Sequence, residues 1–148
     1  MDASKVINGS WGEVTINEDY MAEVISLEAK ATLEKQEVNQ TGTLAKGYKI
    51  TGLDCKGTIK LNKVTSYFIN MISDNLLKGK STECTITSTL SDPDSDGTEK
   101  IELYGCIFDE LTLANWEAKK LTEESIPFTF TSWKIVDKID DERTKKEE

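Results

Sequence analysis

One run of side chains in the chain is spaced like the start of a metal site: Asp92-Pro93-Asp94-Ser95-Asp96-Gly97. A calcium loop sets oxygen ligands at positions 1, 3 and 5, a glycine at 6 and a bidentate glutamate at 12. Counted from Asp92, position 12 is Leu103, and Glu102 falls one place early. Strand-like sequence flanks the run where helices would be needed, and alternation asks for Leu103 in a core. We read an acidic turn between two strands, with a weak adventitious calcium site as the alternative. Cys55, Cys84 and Cys106 are odd in number, show no CxxC spacing and each lie in an alternating run. They read as free buried thiols of a reducing compartment. Histidine is absent. That removes the commonest general base, the commonest transition-metal ligand and any imidazole to activate a cysteine. With 27 acidic residues, carboxylates close together are expected by chance. No enzyme activity, metal or cofactor is expected. Trp11, Trp116 and Trp133 could make a sugar-stacking platform. They are far apart in sequence, and we favour core or subunit-contact roles.

The elements that must position these groups fit one domain, since 148 residues can bury a sizeable core. Hydrophobic content is 37%, and aliphatic runs recur from end to end, so the chain is not of the disordered class. The formal charge is −9 and the pI about 4.6, without a cluster of Lys and Arg to neutralise phosphates. An acidic surface suits the passage of nucleic acid better than its capture. No segment approaches the length of a membrane span, and the N-terminal MDASKVINGSWGE lacks the apolar core of a secretory signal. The chain is expected to stay where it is made, without a membrane anchor. The sequons Asn8-Gly9-Ser10 and Asn39-Gln40-Thr41 are read as chance turns.

Residues 26–38, SLEAKATLEKQEV, pose the central ambiguity. Their letters favour helix, yet Ile25, Leu27, Ala29, Ala31 and Leu33 alternate with polar residues. The segment continues the second run of an expected hairpin, run (10–16), turn (Asn17-Glu18-Asp19) and run from Tyr20 onward, and has no helix start signal. We expect a long strand over about 22–36. Residues 39–51, with two glycines and little periodicity, read as an extended loop. Alternation resumes at Leu53, Cys55, Ile59 and Leu61, with Gly57 marking a bulge or close approach. A helix is expected within 65–80: Thr65 or Ser66 as cap, a stripe of Phe68, Ile69, Ile72 and Leu76, and Gly79 to end it. Residues 81–90 form a strand with a threonine row. Residues 100–121 give one or two strands, and 126–136 a single one. The charged end, 137–148, is expected to fray. The fold class is mainly β: two packed β-sheets in a barrel-like arrangement with one flanking α-helix.

The strand over 22–36 is longer than the usual five or six residues. An arm of this kind cannot bury both faces within a small domain. It either docks on a neighbouring subunit or is a mobile hairpin.

The order of the pieces resembles a known family. INGSWGEVTINEDYMAEVISLEAK, GYKITGLDCKGTIKLNKVTSYF, LSDPDSDGTEKIELYGCIFDELTLANWEAKKL and IPFTFTSW follow one another as in the tail tube proteins of contractile phage tails and tailocins, including defective-prophage particles. The likeness covers about residues 6–136, which sets a tube domain of 1–136 and a charged tail of 137–148. It implies a structural subunit. Six copies would form a ring, and stacked rings a hollow inner tube within a contractile sheath. Strands of the six would join around the channel, and the hairpin over about 30–55 would reach neighbours between rings. Contact candidates are Lys30 and Glu34 on the arm, and Thr41, Gly42, Thr43, Leu44, Lys46 and Tyr48 in the loop. Implied partners are further copies of the chain, the sheath, baseplate and tape-measure proteins, and DNA only in passage. The implied location is the bacterial cytoplasm during assembly, then a virion or tailocin tail. An acidic channel wall would keep a polyanion from sticking. A tube subunit of a related secretion system shares the fold, and a monomeric β-barrel binding a small polar ligand is the alternative of another class.

Overall fold

The helix-forming letters of residues 26–38 fold as strand. In the computed structural model, which describes residues 1–144, β3 runs Val24–Val38 and pairs antiparallel along its length with β4, Gly47–Asn62. Tertiary pairing overrides local propensity. Before them come β1 (Gly12–Ile16) and the short β2 (Asp19–Tyr20), where the expected hairpin of 10–16 with the long strand stops, since the strand ends at Tyr20 and β3 turns to β4; after them come α1 (Tyr67–Leu77), β5 (Glu83–Leu90), β6 (Glu99–Phe108), β7 (Glu123–Thr129) and β8 (Ser132–Asp137). The expected loop over 39–51 is shorter, 39–46, because Gly47–Thr51 belong to β4. A register shift explains why alternation missed them. Glu34 pairs with Gly52 but Lys35 pairs with Ile50, so Thr51 is an extra residue. It moves Tyr48 and Ile50 onto the face of Leu53 and Cys55 despite their opposite parity.

All eight strands belong to one antiparallel sheet, ordered β2-β1-β5-β6-β7-β4-β3, with β8 also on β6. The sheet folds over itself into two limbs, β3-β4-β7 and β1-β5-β6-β8, which face each other across the core. The two-layer expectation is met in this form. The barrel detail is corrected: β1 and β3 share no ladder, so the sheet is not closed.

The limbs join where β7 passes into β8. Phe108 pairs with Phe128, and further along β6 Tyr104 pairs with Ser132. Between them lies a break at Phe130 and Thr131, so the single strand expected over 126–136 is two. There the Phe130 N–H donates to the Cys55 carbonyl (3.2 Å) and the Thr131 N–H to the Tyr104 carbonyl (3.0 Å). Gly105 opposite has φ +65°, and a Cβ on it would sit 2.4 Å from Thr131 Oγ1, so the corner requires glycine. Beyond the corner β8 follows β6 alone, and β4 from Asp54 outward pairs only with β3. The outer half of the β3–β4 hairpin therefore projects as an arm.

The core takes Ile59, Leu61, Ile126 and Phe128 from one limb and Val14, Ile16, Ile86, Leu103, Cys106 and Phe108 from the other. Phe68 and Ile72 of α1 close one end. Aromatic edges run from Phe68 through Phe108, Phe128 and Phe130 to Trp133, with centroids 5.1–6.4 Å apart. Gly57 is a close approach, not a bulge: a Cβ there would meet Phe128 Cζ at 2.4 Å. In α1, Ser66 occupies the cap position without a side-chain hydrogen bond, and Leu76 is half exposed, so the stripe ends at Ile72. Gly79 (φ +71°) ends the helix as expected. Residues 100–121 give one strand, β6; 109–122 run without strand or helix. At the C-terminal end Glu142–Thr144 form a short 3-10 turn, and the Arg143 guanidinium pairs with Asp141 (2.7 Å). Residues 145–148, and with them some of the tail expected to fray, lie outside the described residues.

Candidate subunit interface

The sites first singled out for chemistry are taken up by structure. Asp92 is buried, and its carboxylate accepts the N–H of Asn8 (2.8 Å) and of Asp94 (2.9 Å). Asp96 pairs with Lys5 (3.3 Å). The acidic run thus pins the N-terminal segment to the β5–β6 loop, and among the described residues no group of three or more His, Cys, Asp or Glu could hold a metal. All three cysteines are free and buried. Cys84 and Cys106 pair directly across β5 and β6. Hydrogen bonding to Cys106, and then burial, push the Cys84 thiol far above its ordinary range, which leaves it a poor nucleophile. Burial, and then donation to Asp19 (2.9 Å), push the Tyr67 hydroxyl up as well. A cleft between the limbs is lined by Leu27, Ala31, Leu90, Ile101 and Phe130, with Glu99 its one carboxylate. It lacks the convergent polar groups a small polar ligand needs. None of the tryptophans is buried: Trp11, Trp116 and Trp133 are 51%, 79% and 41% exposed. Of their two expected roles, the core one fails.

What the fold leaves without a partner is the arm. Thr41, Gly42, Thr43, Leu44 and Lys46 come together at its tip. Gly42 turns the chain with φ +84°, Thr43 Oγ1 accepts the Ala45 N–H (3.2 Å), and Lys46 lies 3.8 Å from Glu37. Leu44 is fully exposed. Tyr48, Lys30 and Glu34 lie along the strands, on different faces. Tyr48 pairs with Glu37 on the face continuous with the core, whereas Lys30 and Glu34 point the other way.

Sequence reasoning missed the apolar stretch of that first face. Leu33, Ile50 and Leu53 share it with Tyr48 and are 48–56% exposed, because the second limb stops short of them. The extra residue at Thr51 hid the pattern. A second exposed set, Leu113, Trp116 and Leu121, stands on the segment after β6. All of β8 is exposed as well, although it carries Trp133, Ile135 and Val136. Among the described residues, the edges of β3, of outer β4 and of β8 are free and add unpaired backbone donors and acceptors. Exposed apolar strips beside open strand edges define a subunit of an assembly rather than a self-sufficient monomer.

Comparison with known proteins points the same way. Chains of the extended sheath–tube complex of an extracellular contractile injection system superpose with a TM-score of 0.67 at 10% identity, covering 91% of this chain and 97% of theirs. A chain of the anti-feeding prophage cap gives 0.68 at 14% identity, covering 91% and 93%. The phage-like element PBSX protein XkdM of Bacillus subtilis (strain 168) is 33% identical over 143 residues, 95% of this chain and 97% of its own. The family model described as phage tail tube protein matches residues 1–137. The chain belongs to the phage tail tube protein family.

Proposed function

We propose that this chain is the building block of the inner tube of a contractile phage tail or tailocin, six copies to a ring and rings stacked around a channel. The observation that carries the reading is the arm, a long hairpin with an exposed apolar face that no other described residue covers. Residues 1–136 supply the tube domain and 137–148 a charged extension. Within a ring, the free edges of β3 and of outer β4, both belonging to the limb β3-β4-β7, give neighbours strands to pair with, which removes the liability of an open edge. Between rings, the tip (Thr41, Gly42, Thr43, Leu44, Lys46) and the arm residues Tyr48, Lys30 and Glu34 meet the next layer. Sheath and baseplate proteins are partners, as fits a fold shared with chains of sheath–tube and baseplate assemblies; a tape-measure protein would set the length. The role is mechanical and needs no catalysis. Assembly takes place in the bacterial cytoplasm and the product is a tail.

Negative-stain electron microscopy of the purified protein at high concentration, with light scattering alongside, tests this. Hollow tubes or six-fold rings are expected. Deleting 41–47 should leave a folded monomer that builds no tubes, and normal tubes from that deletion would remove the role given to the tip.

A further inference from the structure

Under the tube reading, on which this inference rests, one face of the subunit looks into the channel. The limb β3-β4-β7 has one side on the core and one side on solvent. Register places four carboxylates on the solvent side, Glu28, Glu34, Asp54 and Glu123, and four lysines, Lys30, Lys49, Lys56 and Lys60. The face is therefore neutral in a chain of formal charge −9. Three of the lysines are paired within it: Lys30 with Glu28 (3.1 Å), Lys56 with Asp54 (3.4 Å) and Lys60 with Glu123 (3.3 Å). Such exposed pairs add little to stability. Their effect is on the field: opposite charges this close, well inside a Debye length of about 8 Å at physiological salt, cancel a short way from the surface.

Geometry decides where the face points. If neighbours join through the edges of this limb, the core, the second limb and α1 all lie on one side of the resulting wall. Six bodies of that bulk fit only on the convex side, so the flat polar side turns inward. We propose that the solvent side of β3-β4-β7 is the channel wall and that it is electrically neutral through its own ion pairs, so that the channel sorts cargo by width and neither repels nor holds a polyanion. The acidic wall expected from the whole-chain charge gives way to this reading, because the acidic surplus lies on other surfaces.

Tubes of the full chain, first seen by negative stain, are mounted singly in a solid-state pore under a tenfold KCl gradient. The reversal potential should give a cation-to-anion permeability ratio within about twofold of unity. The Lys30→Glu/Lys56→Glu/Lys60→Glu variant should turn the tube cation-selective by about fivefold or more. Strong selectivity in the unmodified tube, or none in the variant tube, overturns the proposal. A Thr58→Cys chain reads position independently of charge. In tubes it should react with a small maleimide but not with a bulky polyethylene glycol maleimide, and as monomer with both. Equal reaction with the bulky reagent in tubes also overturns the proposal. A chain that forms no tubes at any concentration fails the tube reading first, and the channel wall falls with it.

Discussion

β3 and β4 cross two different environments. At their inner end Leu27 faces Ile59 and Ala31 faces Cys55; Ile59 is fully buried and Cys55 nearly so. A few residues outward, Leu33 faces Leu53 and Lys35 faces Ile50, and Leu33, Leu53 and Ile50 stand half exposed. The strands, the alternation and the pairing partner are the same. Only the cover over that face changes, from the second limb at the inner end to none among the described residues at the outer end. An alternating pattern thus says that a face will be covered, not whether the cover comes from the same chain.

The sharpest way to test this contrast is to weaken each end in turn. Phe128→Ala at the inner end should cost about 3–5 kcal/mol of unfolding free energy in urea, since it empties a fully buried ring site. Lys63→Met should cost about 2–3 kcal/mol by the same measurement. It leaves the buried Glu124 carboxylate without its partner, although the partly exposed Lys63 keeps the loss below that of a fully buried pair. Gly105→Ala should cost about 1–3 kcal/mol through a strained φ and the contact with Thr131. Alkaline titration gives a further mark on the body. The Tyr67 hydroxyl ionises higher in the folded state than its ordinary 10.0. Its contribution is complete below pH 10, and above that the unfolded chain loses its proton first, so stability falls. Tyr67→Phe should flatten this slope in urea midpoints measured between pH 9 and 11. At the outer end, Leu33→Ser/Leu53→Ser should change monomer stability least, by under about 1 kcal/mol. Yet it should raise the concentration needed for tubes more than about tenfold in light scattering, by removing apolar contact area. A large loss of monomer stability from this pair would dissolve the contrast.

Much of this was legible in the residues. Period two identified β3 against its helix-forming letters, and Asn17-Glu18-Asp19, Gly57 and Gly79 marked the turn, the close approach and the helix end. The arm was visible as a strand too long for its domain, and Gly42 and Thr43 marked its tip. Other features escaped for physical reasons. The extra residue Thr51 reversed parity midway along β4, so its outer third looked like loop. The pairing of Cys84 with Cys106, and the sharing of β6 between β7 and β8, depend on long-range register, which no local window contains. Leu76 continued a helical stripe that the core did not extend far enough to meet. Whole-chain charge did not foretell the even balance of charges on the solvent side of β3-β4-β7.

The root of the arm has a mechanical consequence. From Lys56 to Asn62, β4 is flanked by β3 on one side and by seven consecutive partners of β7, Glu123–Thr129, on the other. Antiparallel hydrogen bonds run across the strands, so a pull along the arm acts on this ladder in shear. The bonds then resist together, instead of unzipping singly from an end. If the arms meet the next layer as proposed, a thrust taken up by an arm would be handed to the centre of its own subunit's sheet, and a stack built this way could be pushed as a rod.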